Sequence, residues 1–229
     1  MSPDEFIKAG SGNPSVVLLP GWATDGRVFD GLFPGVATVT TGVLRPEGFT
    51  RRLSSFLDRS ARAPVAIVGW SLGGFLAAEF AREYPEKVRS VVLVGIRRGY
   101  PEGAVEAVSR SLSADRNACL TSFYAQCFYP SQMTAYRRFR VGLQGSYLRE
   151  LDGGALRDGL SYLASAGLSA GTLPTCPVTI VHGEKDVVAP LAEAESVARE
   201  CGNASFHPLP GAAHAAFLAE GFHAVTADG

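Results

Sequence analysis

The sequence predicts an α/β fold with a mostly parallel central sheet, flanked by helices, and a block of helices inserted after the strand that follows the Ser71 helix. Three observations predict it. Short apolar, β-branched runs alternate with helical stretches, the pattern of parallel strands covered on both faces. The segment Val65-Ala66-Ile67-Val68-Gly69-Trp70-Ser71-Leu72-Gly73-Gly74 reads as strand, sharp turn and helix start, with one serine at the bend. From residue 97 to about 171 the strand rhythm stops, and only helical stretches follow. A chain of 229 residues with 46% hydrophobic content suits one large domain.

Residues 15–19 form the first expected strand, running into Pro20-Gly21-Trp22 and a short helical stretch near 28–32. Residues 37–44 read as the second strand and 49–59 as an amphipathic helix leading back to the strand at 65–68. A helix over 72–84 ends at Pro85, and a strand follows over 88–96. Each strand then leads into a helix, which argues for parallel pairing. Within the insertion, helices are expected over 105–112, 118–128, 133–145 and 154–166. The strand pattern resumes at 177–181, followed by a helix over 191–201, a last strand over 204–209 and a final helix over 217–226. The expected division is a core of residues 1–96 and 172–229 and a helical cap of 97–171.

Gly69, Gly73 and Gly74 surround Ser71 at the spacing of a Gly-x-Ser-x-Gly elbow. Such a turn exposes the serine hydroxyl, and its neighbours must lack side chains so that strand and helix can close together. Ser71 is therefore the candidate nucleophile. The Leu72 N–H, at the start of the following helix, is aimed at the same point and can meet negative charge. Gly21 turns the chain sharply after the first strand and directs the Trp22 amide into the crevice beyond the strand ends. The Leu72 and Trp22 amides are thus the candidate oxyanion hole, a role compatible with the Trp22 ring packing in the core.

Asp186 follows the strand at 177–181 in the run Val181-His182-Gly183-Glu184-Lys185-Asp186, and His214 follows the last strand among small residues. Asp115, Asp152 and Asp158 fall in the cap without a strand end to hold them. His182 and His207 lie in or beside strands and His223 in the last helix, which points to structural or exposed roles. Ser71, Asp186 and His214 form the candidate triad, with His214 as base and Asp186 fixing its tautomer. Serine, then acid, then histidine is also an informative chain order among serine hydrolases.

A net charge of −1 gives no general attraction to nucleic acid. The chain has no apolar run long enough to span a membrane, and residues 1–13 lack the pattern of a signal peptide, so a cytoplasmic location is expected. Cys119, Cys127, Cys176 and Cys201 have no metal-ligand spacing and read as reduced thiols; no metal site is expected.

Together the motifs Leu19-Pro20-Gly21-Trp22, Gly69-Trp70-Ser71-Leu72-Gly73-Gly74, Val181-His182-Gly183-Glu184-Lys185-Asp186 and Ala213-His214 resemble the α/β-hydrolase superfamily over nearly the whole chain. More narrowly, the tryptophans at 22 and 70, the short N-terminus and the cap length resemble the pimeloyl-acyl-carrier-protein methyl ester esterases of biotin synthesis. That resemblance implies hydrolysis of a methyl ester at the end of a carrier-bound acyl chain, with neither metal nor organic cofactor. The chain departs from the pattern with Leu44-Arg45-Pro46-Glu47-Gly48 after the second strand and Pro20 before the oxyanion glycine. Dehalogenase and epoxide hydrolase relatives place an aspartate where Ser71 stands.

Residues 116–149 contain Arg116, Arg137, Arg138, Arg140 and Arg149 and no acidic residue. Such a face suits an acidic acyl carrier protein, with Arg137, Arg138, Arg140 and Arg149 as candidate contacts. It also suits simple solvation. Tyr136, Phe139 and Leu143 share one helix face that can cover an acyl chain. Trp22, Trp70, Phe139 and Leu143 are the candidate substrate-binding residues. The expected protein is a monomeric serine carboxylesterase; a generic short-chain esterase on free esters and a ligand receptor on a hydrolase scaffold are the alternatives.

Overall fold

The computed structural model describes residues 5–61 and 63–226. The strands are β1 (Phe6–Ala9), β2 (Val16–Leu19), β3 (Thr38–Thr41), β4 (Val65–Trp70), β5 (Val88–Val94), β6 (Val178–Gly183) and β7 (Ala204–Leu209). They form one sheet in the spatial order β1-β3-β2-β4-β5-β6-β7. β1 runs antiparallel to β3, and every other neighbouring pair is parallel. The sequence reading missed β1, whose residues are mostly exposed at the sheet edge and so carry no apolar run. The central strands read Val-Val-Leu-Leu, Val-Ala-Ile-Val-Gly-Trp and Val-Arg-Ser-Val-Val-Leu-Val and are largely buried, as strands covered on both faces must be.

Helix α1 (Phe49–Ser60) buries Phe49, Leu53 and Leu57, one side chain per turn, and packs on α2 (Leu72–Glu83). α2 in turn lies on β2, β4 and β5. Its first turns are so rich in Gly and Ala that the backbone comes close to the strands.

Between β5 and β6 the chain forms α3 (Ala104–Ala114), α4 (Arg116–Phe128), α5 (Met133–Phe139), α6 (Gly145–Glu150) and α7 (Gly153–Leu163). The two ends of this helical block lie side by side. There Gly99 and Gly167 form an isolated antiparallel bridge, and the Leu168 N–H donates to the Arg98 carbonyl at 2.7 Å. Two cap aspartates start helices: Asp115 accepts from the Ala118 N–H at 3.0 Å and Asp152 from the Ala155 N–H at 2.9 Å.

The helix expected over 133–145 continues to Glu150, because Gly145 keeps right-handed helical dihedrals and a π-helical turn over Arg140–Gln144 absorbs the extra residues. After β6 come α8 (Leu191–Glu200), β7 and a C-terminal stretch expected to be one helix. That stretch is instead a 3-10 turn (Ala216–Leu218) and α9 (Phe222–Thr226). The break falls where Ala219 is extended and Gly221 has φ +96°, which no continuous helix tolerates. The expected helix near 28–32 is a 3-10 turn over Gly26–Phe29. Among the described residues no helix is long and apolar enough to cross a membrane.

Candidate active site

Ser71 is the single residue between β4 and α2, with φ 53° and ψ −116°. A non-glycine residue held there stores about 1–3 kcal/mol of backbone strain, which the surrounding packing must over-determine. A side chain on Gly69 would run into the Gly73 carbonyl, and one on Gly73 into the Leu19 carbonyl. A Cβ on Gly74 would stand 2.7 Å from Ile96 Cγ2. The elbow therefore closes only as a glycine-framed turn. The Ser71 N–H is fixed by the Val94 carbonyl at 2.9 Å, which ties the turn to the end of β5.

Asp186 lies in the loop after β6. Its Oδ1 accepts the N–H groups of Val188 and Ala189, both at 2.8 Å, and its Oδ2 accepts from His214 Nδ1 at 2.8 Å. Both side chains are fully buried. Burial opposes ionisation of this carboxyl, but His214, His182 and the Ala189 amide outweigh it and hold the pKa below the ordinary carboxylate range. With its Nδ1–H committed to the carboxylate, the imidazole presents a basic Nε2. That atom is buried and has no hydrogen-bond partner among the described residues.

The His214 loop rests on residues next to Ser71. Trp70 donates its indole N–H to the His214 carbonyl at 2.9 Å. Gly95, which has φ +58°, leaves room for the imidazole: a Cβ there would lie 3.0 Å from Nδ1.

Beyond the ends of β2 and β4, the N–H groups of Trp22 and Leu72 have no backbone acceptor among the described residues. The Trp22 loop is held by the helices between β5 and β6. Trp22 Nε1 donates to the Leu156 carbonyl at 2.8 Å, the Tyr124 hydroxyl to the Ala23 carbonyl at 2.7 Å and the Tyr147 hydroxyl to Asp25 Oδ1 at 3.0 Å. Burial, chiefly, pushes the Tyr124 and Tyr147 phenols far up, so both remain protonated donors.

The sequence-derived candidates separate in space. Ser71, Asp186, His214, Trp22 and Leu72 all lie at or just beyond strand ends. Trp70 sits behind the histidine loop, with its indole N–H spent on the His214 carbonyl and its ring packed edge-on against Phe217 at 5.0 Å. Phe139 packs among Tyr124, Phe128 and Tyr147 in the cap. Together with Leu143, Ala135, Arg138, Val28 and Leu218 it also lines a cavity of about 320 Å³ at the border of cap and core. Arg137, Arg138, Arg140 and Arg149 are exposed. Arg116, from the same acid-free stretch, is turned inward, and its guanidinium caps the carbonyls of Tyr147, Leu148 and Leu151.

Two neighbours of the site were not anticipated. His182 donates its Nε2–H to the Ala189 carbonyl at 2.8 Å and lies 3.4 Å from Asp186 Oδ2; burial, against the pull of Asp186, lowers its pKa. Tyr100 lies beside the Ser71 hydroxyl with the Arg97 guanidinium 4.8 Å from its ring. Burial raises its pKa, against the lowering effect of Arg97 and Ser71. The His182-Gly183 step was visible as a motif, whereas nothing in the sequence around Tyr100 points to Ser71.

A family model described as alpha/beta hydrolase fold matches residues 48–220. The chain belongs to the α/β-hydrolase fold family. It is 29% identical to the pimeloyl-[acyl-carrier protein] methyl ester esterase of Chromobacterium violaceum, over 93% of this chain and 92% of that one. Identity to the protein of the same name from Methylococcus capsulatus is 31%, over 94% and 93% of the two chains. Among solved structures, an esterase from Exiguobacterium antarcticum superposes with a TM-score of 0.79 at 19% identity, covering 93% of this chain and 89% of that one.

Proposed function

We propose that this hydrolase cleaves the methyl ester of a pimeloyl group carried on acyl carrier protein, through an acyl-enzyme formed on Ser71. The observation that carries the mechanism is the buried His214–Asp186 pair, which leaves the second imidazole nitrogen unpartnered on a loop that Trp70, the residue before the strained Ser71 turn, holds by its carbonyl. In this reading Ser71 Oγ attacks the ester carbonyl while His214 Nε2 takes its proton, and Asp186 stabilises the resulting imidazolium. The Trp22 and Leu72 amides hold the oxyanion, each such donor being worth about 3 kcal/mol. Collapse expels the methoxy group, which takes the proton from His214 as it leaves and departs as methanol. A water, deprotonated by the same nitrogen, then cleaves the acyl-serine ester and releases the free carboxylate.

The substrate assignment is supported by the names of relatives that align over more than nine-tenths of this chain. Exposed Arg137, Arg138 and Arg140 on or beside α5 support an acidic carrier as partner, with residues 97–171 acting as the cap. Charged rim residues mostly set encounter rate and salt dependence. The test compares a carrier-bound pimeloyl methyl ester with a small aryl acetate, in the parent and in the Arg137→Ala, Arg138→Ala, Arg140→Ala triple variant. The expected result is a salt-dependent loss of kcat/KM, about tenfold or more, on the carrier-bound ester alone. Equal losses on both esters, or a parent that prefers the small ester, would assign the site to free short-chain esters.

A further inference from the structure

The His214 loop is held from two sides, and one of them is the cap. From the core, Trp70 holds the His214 carbonyl. From the cap, Gln132, in the turn between α4 and α5, reaches the loop with its primary amide. Its Oε1 accepts the Ala213 N–H at 2.9 Å and its Nε2 donates to the Ala215 carbonyl at 3.1 Å. The two contacts bracket His214 on either side, as a neighbouring strand would. A third bond from the same part of the cap, Ala215 N–H to the Cys127 carbonyl at 3.0 Å, completes the clamp.

We propose that Gln132 is a positioning residue for His214, so that the cap helps to assemble the histidine loop as well as covering the site. The amide suits the task because it offers one acceptor and one donor in a fixed plane, matching the N–H and C=O that the residues flanking His214 present. Neither Ala213 nor Ala215 has a polar side chain of its own, and both are buried, so a lost partner would leave a main-chain group unsatisfied or let the loop shift. Displacing the imidazole by a fraction of an ångström is enough to slow proton transfer from Ser71. Gln132 is also the residue from which α5 starts: its carbonyl accepts the Tyr136 N–H at 3.0 Å, and its N–H donates to the Phe128 carbonyl at 2.9 Å. Displacement of α5 therefore reaches the histidine loop through one side chain.

The proposal rests on His214 acting as the base, and the experiment separates the two. Gln132→Met keeps length and volume but removes both hydrogen bonds; Gln132→Glu keeps an acceptor for Ala213 and loses the donor to Ala215 at neutral pH. With a small aryl acetate, both variants are expected to fold, to keep the parental KM, and to lose about ten- to a hundredfold in kcat. The rate of Ser71 labelling by a fluorophosphonate should fall in parallel, because labelling uses the same base and no acyl-chain recognition. His214→Ala is run alongside. A folded Gln132 variant with parental kcat, or one that loses only KM, would overturn the positioning role, whereas a fully active His214→Ala would instead overturn the base assignment. Should Gln132→Met fail to fold by circular dichroism, the near-isosteric Gln132→Glu carries the test by itself.

Discussion

Trp70 Nε1 stands 2.9 Å from the His214 carbonyl oxygen, joining the residue before Ser71 to the proposed base across 144 positions of sequence. Both groups are buried, so the bond is expected to matter twice, for stability and for alignment. Trp70→Phe leaves a buried carbonyl without its donor at a cost of about 1–3 kcal/mol. Thermal unfolding should show a lowered midpoint, and ester turnover should fall more in kcat than in KM.

The carboxylate beneath His214 has two duties that mutation can separate. Asp186→Asn retains an acceptor for the Val188 and Ala189 amides but loses the negative charge and can set the wrong imidazole tautomer. The fold should survive, while kcat drops by about four orders of magnitude, as in comparable triads. Turnover within tenfold of the parent would contradict the assignment.

His182 makes a separate prediction about acid stability. Burial lowers its native pKa, so below the unfolded value of about 6.5 the unfolded chain binds a proton that the native chain refuses. The stability from neutral His182 is therefore complete above that pH and is lost as pH falls towards the native pKa. Asp186, with its own lowered pKa, adds a loss in the same direction at lower pH, below about 3.9. Denaturant titrations of the parent should show stability decreasing from about pH 6.5 downward. His182→Asn should be less stable at pH 7 yet flatter across that range; a slope identical to the parent would exclude His182 as the source.

The helices between β5 and β6 are tied to the Trp22 loop by buried bonds, Trp22 to Leu156 at 2.8 Å and Tyr124 to Ala23 at 2.7 Å, and to the segment after β3 only by the half-exposed Arg45 pairs with Asp152 at 2.5 Å and Asp158 at 3.3 Å. Such exposed ion pairs contribute about 0.2–1 kcal/mol. Arg45→Ala is therefore expected to leave ester turnover nearly unchanged, whereas Trp22→Phe lowers it measurably. Equal effects of the two substitutions would mean that the exposed ion pairs matter as much as the buried bond.

The parts of this protein written in local pattern are legible in the sequence itself. The elbow was readable because backbone crowding dictates Gly69, Gly73 and Gly74 around Ser71, and the buried parallel strands because both their faces must be apolar. β1 was not, since a short edge strand with mostly exposed side chains leaves no hydrophobic signature. Arg45 stood out as a departure from the family pattern, and its partners Asp152 and Asp158 became visible only once α7 was folded over it. Gln132, Tyr100 and the orientation of Trp70 were hidden for a common reason. Their partners lie tens of residues or more away, and a single polar contact across that separation imposes no periodicity on either segment.

The central claim, ester cleavage through a covalent intermediate on Ser71, is tested most directly by mass spectrometry of the protein quenched during turnover of a pimeloyl methyl ester. The expected result is a pimeloyl adduct on the peptide that contains Ser71, absent from Ser71→Ala, with turnover of that variant reduced by at least about a thousandfold. A Ser71→Ala protein that hydrolyses the ester at the parental rate, with no adduct on either protein, would contradict it.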